Sequence, residues 1–153
     1  MAYETPRSTA SVAGHPIHPM LVPIPIACYL GALATDIAYA NTAEMQWSNF
    51  SAWLLLVGIV FTVLAAVAGL IDVLGEPRIR SLAAAWVHAG GNVIVLVLAI
   101  FNSFVHTHDA YTSVVPTGLT LSVITVLILL VTGWLGGELV FRHRVGMRPE
   151  DRL

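Results

Sequence analysis

Apolar residues run along this chain in four long blocks separated by short polar breaks. The blocks cover residues 21–40, 51–74, 82–105 and 116–140. Each is long enough for a helix to cross a bilayer core, which takes about 20 apolar residues. The breaks read "NTAEMQWSN", "GEPRIRS" and "HTHDAYTS", and the chain ends in "RHRVGMRPEDRL". The pattern predicts an all-α fold, a four-helix transmembrane bundle over residues 21–141. A polar segment over 1–20 precedes it and a tail over 142–153 follows.

Within the blocks the small and polar residues fall at helical spacing. Gly58, Thr62, Ala65, Gly69 and Asp72 lie within about 40° of one direction on the second helix. His88, Asn92, Val95, Ala99 and Asn102 do the same on the third. The first helix offers Cys28, Gly31, Ala32, Thr35 and Tyr39, and the fourth Gly118, Ser122, Thr125, Thr132 and Gly136. Helices in lipid associate through small residues and buried polar groups, so these stripes predict inward faces of one bundle. No internal repeat or low-complexity segment stands out.

Composition agrees with a membrane class: 57% of residues are hydrophobic, 10% are charged and the mean hydropathy is +0.81. A soluble domain carries about 25% charge. The net charge of −2 suggests no nucleic-acid partner. A single cysteine, Cys28, excludes an internal disulfide and is expected to be a small core residue. "AYA" at 38–40 resembles a signal-peptidase site, but Asp36 interrupts the leader that cleavage there would need.

All seven basic residues are arginines: Arg7, Arg78, Arg80, Arg142, Arg144, Arg148 and Arg152. They lie in the N-terminal segment, the second connection and the tail, which share one side of a four-helix topology. Positive residues stay cytoplasmic, so both termini are expected inside, in a bacterial inner membrane. Trp47, Trp53 and Trp86 sit near span ends, where tryptophan anchors.

The candidate chemistry gathers at that arginine-bearing end. "GHPIHPMLVPIPI" sets His15 and His18, each before a proline, at the entrance to the first span. Residues before proline favour extended geometry, and a three-residue repeat would point both imidazoles the same way. Asp72 closes the second span, and His88 lies about 9 Å inside the third at ~1.5 Å per residue. Convergence of these four residues is the expected site. The opposite end carries Asp36, Asn102, His106, His108 and Asp109, with Asp36 expected to bond Asn102 or a loop histidine.

Four motifs, "GHPIHPMLVPIPI", "GLIDVLG", "WVHAGGNVIVLVLAI" and "GWLGGELVFRHRVG", resemble the bacterial membrane-protein family known as domain of unknown function 2231, over about Gly14 to Gly146. The resemblance implies a four-helix inner-membrane module with histidines before the first helix and in the third. Its motif positions are His15, His18, Asp72, His88 and Glu138. Fusion of some relatives to Rieske-type iron–sulfur domains implies a link to electron transfer.

Several functions are open at this point. Imidazoles from His15, His18 and His88 could ligate a b-type haem, with Arg78 and Arg80 pairing its propionates and Gly90 and Gly91 admitting the macrocycle. Asp72 opposes that, because a carboxylate repels propionates. The same three histidines with Asp72 could instead hold a divalent transition metal such as zinc or iron. A cofactor-free structural or partner-binding bundle would use Asp72 against Arg78 or Arg80 and His88 against Asn92. Proton or small-solute conduction would draw on Asp36, Asn92, Asn102, His88 and Asp72. Glu138 falls opposite the small stripe, where a bridge to Arg142 is the simplest account. Lipids, a redox protein and a second copy are the expected partners. No nucleophile motif or phosphate loop is present, so a stand-alone enzyme is not expected.

Overall fold

The computed structural model describes residues 5–108 and 114–147. Two short antiparallel strands, β1 (Ser11–Val12) and β2 (His15–Pro16), open it. Ala13 and Gly14 join them with φ of 49° and 78°, the left-handed pair that a tight two-residue hairpin turn requires. Helix α1 (Ile17–Leu21) runs into α2 (Pro23–Thr42) through Val22. Pro23 sits in the first turn of α2, where its missing N–H costs nothing.

Helix α3 (Met45–Gly75) begins well before Ser51, so most of "NTAEMQWSN" is helical. The turn needs only Ala43, in the left-handed conformation with its N–H on the Tyr39 carbonyl at 2.8 Å, and the extended Glu44. The second connection holds a single helical turn, α4 (Pro77–Arg80), capped by the Glu76 side chain accepting from the Arg78 N–H at 3.1 Å. Helix α5 (Ala83–His108) and helix α6 (Leu119–Gly137) complete the bundle. A wider helical turn over Glu138–Arg142 extends α6 at its C-terminal end, and a kinked segment, Val114–Gly118, with Val115 extended, leads into its start.

Four helical stretches are long and apolar enough to cross a membrane: Ile17–Thr42, Met45–Gly75, Ala83–Thr107 and Val114–Arg142. They form a ring in which α2 packs on α3, α3 on α5, α5 on α6 and α6 on α2. Tyr29, Ala32, Leu55, Val95, Ala99 and Leu129 fill the centre. Large apolar side chains such as Trp53, Phe101, Phe104 and Trp134 cover the outside, a surface suited to lipid rather than water.

The sequence pattern conceals an internal repeat that the packing makes plain. Pro25, Tyr29, Ala32 and Asp36 are buried on α2; the residues 70 positions later, Val95, Ala99, Asn102 and His106, are buried on α5. Ser51, Leu55, Gly58, Thr62 and Ala65 are buried on α3; 67 positions later Gly118, Ser122, Thr125, Leu129 and Thr132 are buried at the start of and along α6. The α2–α3 and α5–α6 hairpins are thus two versions of one packing plan, set around an axis along the bundle. Residue identity hides it because equivalent positions carry different chemistry, such as Tyr29 for Ala99 and Asp36 for His106. Parallel repeats about such an axis are a known membrane-protein architecture.

The mid-depth contact of the first hairpin is tight. Tyr29 lies against Gly58, and its hydroxyl donates to Thr62 Oγ1 at 2.8 Å while Thr62 donates to the Gly58 carbonyl at 2.7 Å. A Cβ at position 58 would come within 2.7 Å of the Tyr29 ring. Gly58→Ala is therefore expected to lower stability by about 1–3 kcal/mol, measured as the unfolding midpoint in detergent. Gly133→Ala, where a Cβ meets no atom within 4 Å, should leave the midpoint unchanged.

Candidate functional site

At the arginine-bearing end the repeat brings two equivalent histidines face to face. The His18 and His88 rings stand 6.0 Å apart between centroids, at 80° to each other. His18 Nδ1–H donates to the Ala65 carbonyl at 2.7 Å, and His88 Nδ1–H donates to the Thr132 carbonyl at 2.8 Å. A carbonyl oxygen only accepts, so each neutral ring keeps its lone pair on Nε2. Each ring also rests against a glycine one turn beyond its carbonyl. A Cβ at Gly69 would lie 3.1 Å from His18 Nδ1, and one at Gly136 3.1 Å from His88 Cε1. Carbonyl and glycine, four residues apart on one helix, make an imidazole seat, and the fold builds it twice. Asn92 Nδ2 bonds the His88 carbonyl at 2.8 Å and reaches His88 Nε2 only at 3.4 Å. The Nε2 lone pair is barely used.

The other candidates at this end go elsewhere. His15 is exposed in β2, because the Ala13–Gly14 turn makes a hairpin instead of a three-residue spiral, and Ile17 already starts a helix. The two "HP" imidazoles therefore diverge. Asp72 is buried, but its carboxylate serves the N-terminal segment: it accepts from the Ala10 N–H at 2.7 Å, from Ser8 Oγ at 2.8 and 3.0 Å and from Thr9 Oγ1 at 3.3 Å. Serine and threonine hydroxyls, absent from the expected site, take the role assigned to metal or arginine. Among the described residues no three His, Cys, Asp or Glu side chains are grouped to hold a metal ion. The four-residue shell of His15, His18, Asp72 and His88 does not assemble. Gly91 packs against Thr132 and Gly90 is exposed with no atom near its Cβ position, so neither glycine borders the gap between the rings.

The far end of the axis carries the second equivalent pair. His106 Nε2 lies 2.8 Å from Asp36 Oδ1, with both side chains fully buried. His106 Nδ1–H donates to the Asn102 carbonyl at 2.9 Å. Ser51 Oγ donates to Asp36 Oδ1 at 2.5 Å and Ser122 Oγ to Oδ2 at 2.6 Å, while Asn102 Nδ2 donates to Ser122 Oγ at 2.8 Å. Both Asp36 oxygens thus accept from hydroxyls, and Oδ1 also meets the His106 ring. All four spans contribute. Ser51 escaped the sequence reading because it stands at the very start of the second span; the signal was there, since seven residues before Gly58 is the same helical face. Asp109 and the side chain of His108 lie outside the described residues.

The two polar ends lie far apart along the axis. His88 and His106 are 18 residues apart on α5, about 27 Å at ~1.5 Å per residue, and the apolar layer of Tyr29, Ala32, Leu55, Val95, Ala99 and Leu129 lies between. Asn92 belongs to one end and Asp36 with Asn102 to the other. Glu138 pairs with the exposed Arg142 at 2.7 Å, a helical i,i+4 bridge. Cys28 is a buried free thiol.

Fold and packing together define a four-helix membrane protein with polar pairs at both ends of its axis. Residues 14–149 match the family model DUF2231, described as a predicted membrane protein, and the chain belongs to that family. No curated relative and no solved structure matches it.

The buried acid–base pair makes a direct prediction. His106→Ala leaves the Asp36 carboxylate without its counter-charge and should cost about 3–5 kcal/mol. Ser122→Ala removes one hydroxyl and should cost about 1 kcal/mol. The double replacement Asp36→Leu/His106→Leu should recover most of the loss of the single histidine variant. Reversible unfolding in mixed micelles measures all three.

Proposed function

We propose that this protein is a membrane-embedded redox module in which His18 and His88 are the two axial ligands of a haem-type metal centre. The single observation that carries this is the pair of imidazoles with Nδ1–H groups locked on carbonyls, Nε2 atoms met only by Asn92 at 3.4 Å on the His88 side, and ring centroids 6.0 Å apart. Metal-ligating histidines characteristically give their other ring N–H to a carbonyl or carboxylate, which fixes ring and tautomer. With a metal–nitrogen bond of about 2.0–2.1 Å, two imidazoles on one metal place their ring centres roughly 6–6.5 Å apart.

Only two protein nitrogens are on offer, so the metal must bring its remaining ligands, as the iron of a macrocycle does. The objection from Asp72 falls away, since its carboxylate is turned to Ser8, Thr9 and Ala10. Arg78 and Arg80 are exposed at the same end and are the residues proposed to meet propionates. Such a module exchanges electrons with a redox partner at that face. The arginine distribution supports a cytoplasmic location for this face and both termini, in the bacterial inner membrane.

Purified protein supplied with haemin is expected to show the absorption spectrum of iron with two imidazole ligands. His18→Ala and His88→Ala should each lose that spectrum, and His15→Ala should keep it. A wild-type protein that leaves the haemin spectrum unchanged contradicts the proposal. Reporter fusions at each terminus test the orientation: a cytoplasm-dependent fluorescent tag should light up at both ends.

A further inference from the structure

The two halves of the imidazole pair are mounted differently. His88 belongs to a continuous 26-residue helix. His18 sits in the first turn of its helix, in α1, which runs through the helical Val22 into α2, where Pro23 and Pro25 offer no N–H to the preceding turn. What holds α1 in place is the segment before it. The Ile17 N–H, one residue from His18, donates to the Ala10 carbonyl at 2.9 Å. The Ala10 N–H in turn donates to Asp72 Oδ1 at 2.7 Å. Two backbone bonds of one residue thus link the Asp72 carboxylate to the base of His18.

The partners of this segment lie on one face of α3. Ala65 receives the His18 ring, Gly69 seats it, and Asp72 grips Ser8, Thr9 and Ala10, at spacings of four and three that stack on a helix. Thr9 Oγ1 also donates to the Ile71 carbonyl at 3.0 Å. From the other side the tail closes over the segment: the Gly146 N–H donates to the Pro6 carbonyl at 2.9 Å and Thr5 Oγ1 to the Met147 carbonyl at 3.0 Å. In the second hairpin Leu139 stands 67 positions after Asp72 and offers no carboxylate; the segment equivalent to the strap, Arg78–Arg80, is tied to α5 by the Trp86 Nε1–H donating to the Arg80 carbonyl at 2.9 Å.

We infer that Asp72 is a positioning residue for His18, acting through the Ser8–Ala10 strap, and that it makes His18 the adjustable ligand of the pair. The inference rests on the proposed role of His18 and His88. Asp72 touches no ligand itself. It sets where the His18 ring stands, so loosening it releases one imidazole and leaves the other.

The experiment compares wild type, Asp72→Ala and Asp72→Asn, purified in detergent and titrated with haemin. Asp72→Ala is expected to bind haemin about tenfold more weakly, as loss of an outer-shell partner does. Its iron should change from six-coordinate low-spin to five-coordinate high-spin, held by His88 alone, and free imidazole should restore the low-spin form. Asp72→Asn keeps an oxygen for the Ala10 N–H and should stay within about threefold of wild type. Should Asp72→Ala fail to fold, Ser8→Ala/Thr9→Val loosens the strap with Asp72 intact and is expected to weaken binding in the same direction.

Wild-type affinity and spin state in Asp72→Ala would overturn the inference. A wild type that binds no haemin would overturn the proposed function instead. The strap is then read without any ligand, by amide exchange at Ala10 and Ile17 and by the ¹⁵N signals of His18. Faster exchange and a lost Nδ1–H bond in Asp72→Ala support the inference; signals identical to wild type refute it.

Discussion

A carboxylate within a membrane span has no water to turn to, and this bundle is organised around satisfying one. Asp36 draws a hydroxyl from α3, an imidazole from α5 and a hydroxyl from the fourth span onto its two oxygens. Each partner must lie on an inward face at the same depth, so the network fixes rotation and height for every helix at once. Greasy contacts alone would not do this, because lipid is as apolar as leucine and gives little preference for one helix rotation over another. Polar groups thereby supply the specificity while small residues permit the close approach.

The same logic explains why the two ends of the axis differ. Equivalent positions meet across the centre at both ends, His18 with His88 and Asp36 with His106. An acid facing a base leaves no unpaired imidazole at that end, where the one unpartnered buried atom among the described residues of the network is Asn102 Oδ1. At the other end two imidazoles, each with Nδ1 on a helix carbonyl, meet with no carboxylate between them. One end of the repeat pairs an acid with an imidazole, and the other sets two imidazoles side by side.

Residue type and spacing revealed much of this, and failed at identifiable places. The stripes on the four helices name most residues that are buried, including Gly58, Thr62, Ala65, Ala99, Asn102, Ser122 and Thr132. The partnership of Asp36 with a histidine near the third span's end was legible from depth alone. Asp72 was misjudged because helical periodicity shows which way a carboxylate faces, but not which distant segment comes to meet it. Its partners lie more than 60 residues away in a stretch with no regular pattern. His15 was misjudged because a left-handed Ala13 is invisible to propensity, yet it converts a presumed spiral into a hairpin.

The sequence by itself determined the number of spans, their inward faces and the end at which the arginines gather. All three follow from local composition, which the bilayer reads one helix at a time. Only the tertiary structure decided that the hairpins repeat, that His18 and His88 stand beside each other with Asp72 turned elsewhere, and that Ser51 and Ser122 complete the Asp36 site. Those facts depend on how helices stand against one another. Such placement is set by hydrogen bonds and close packing between residues far apart in the chain, where no local pattern records it.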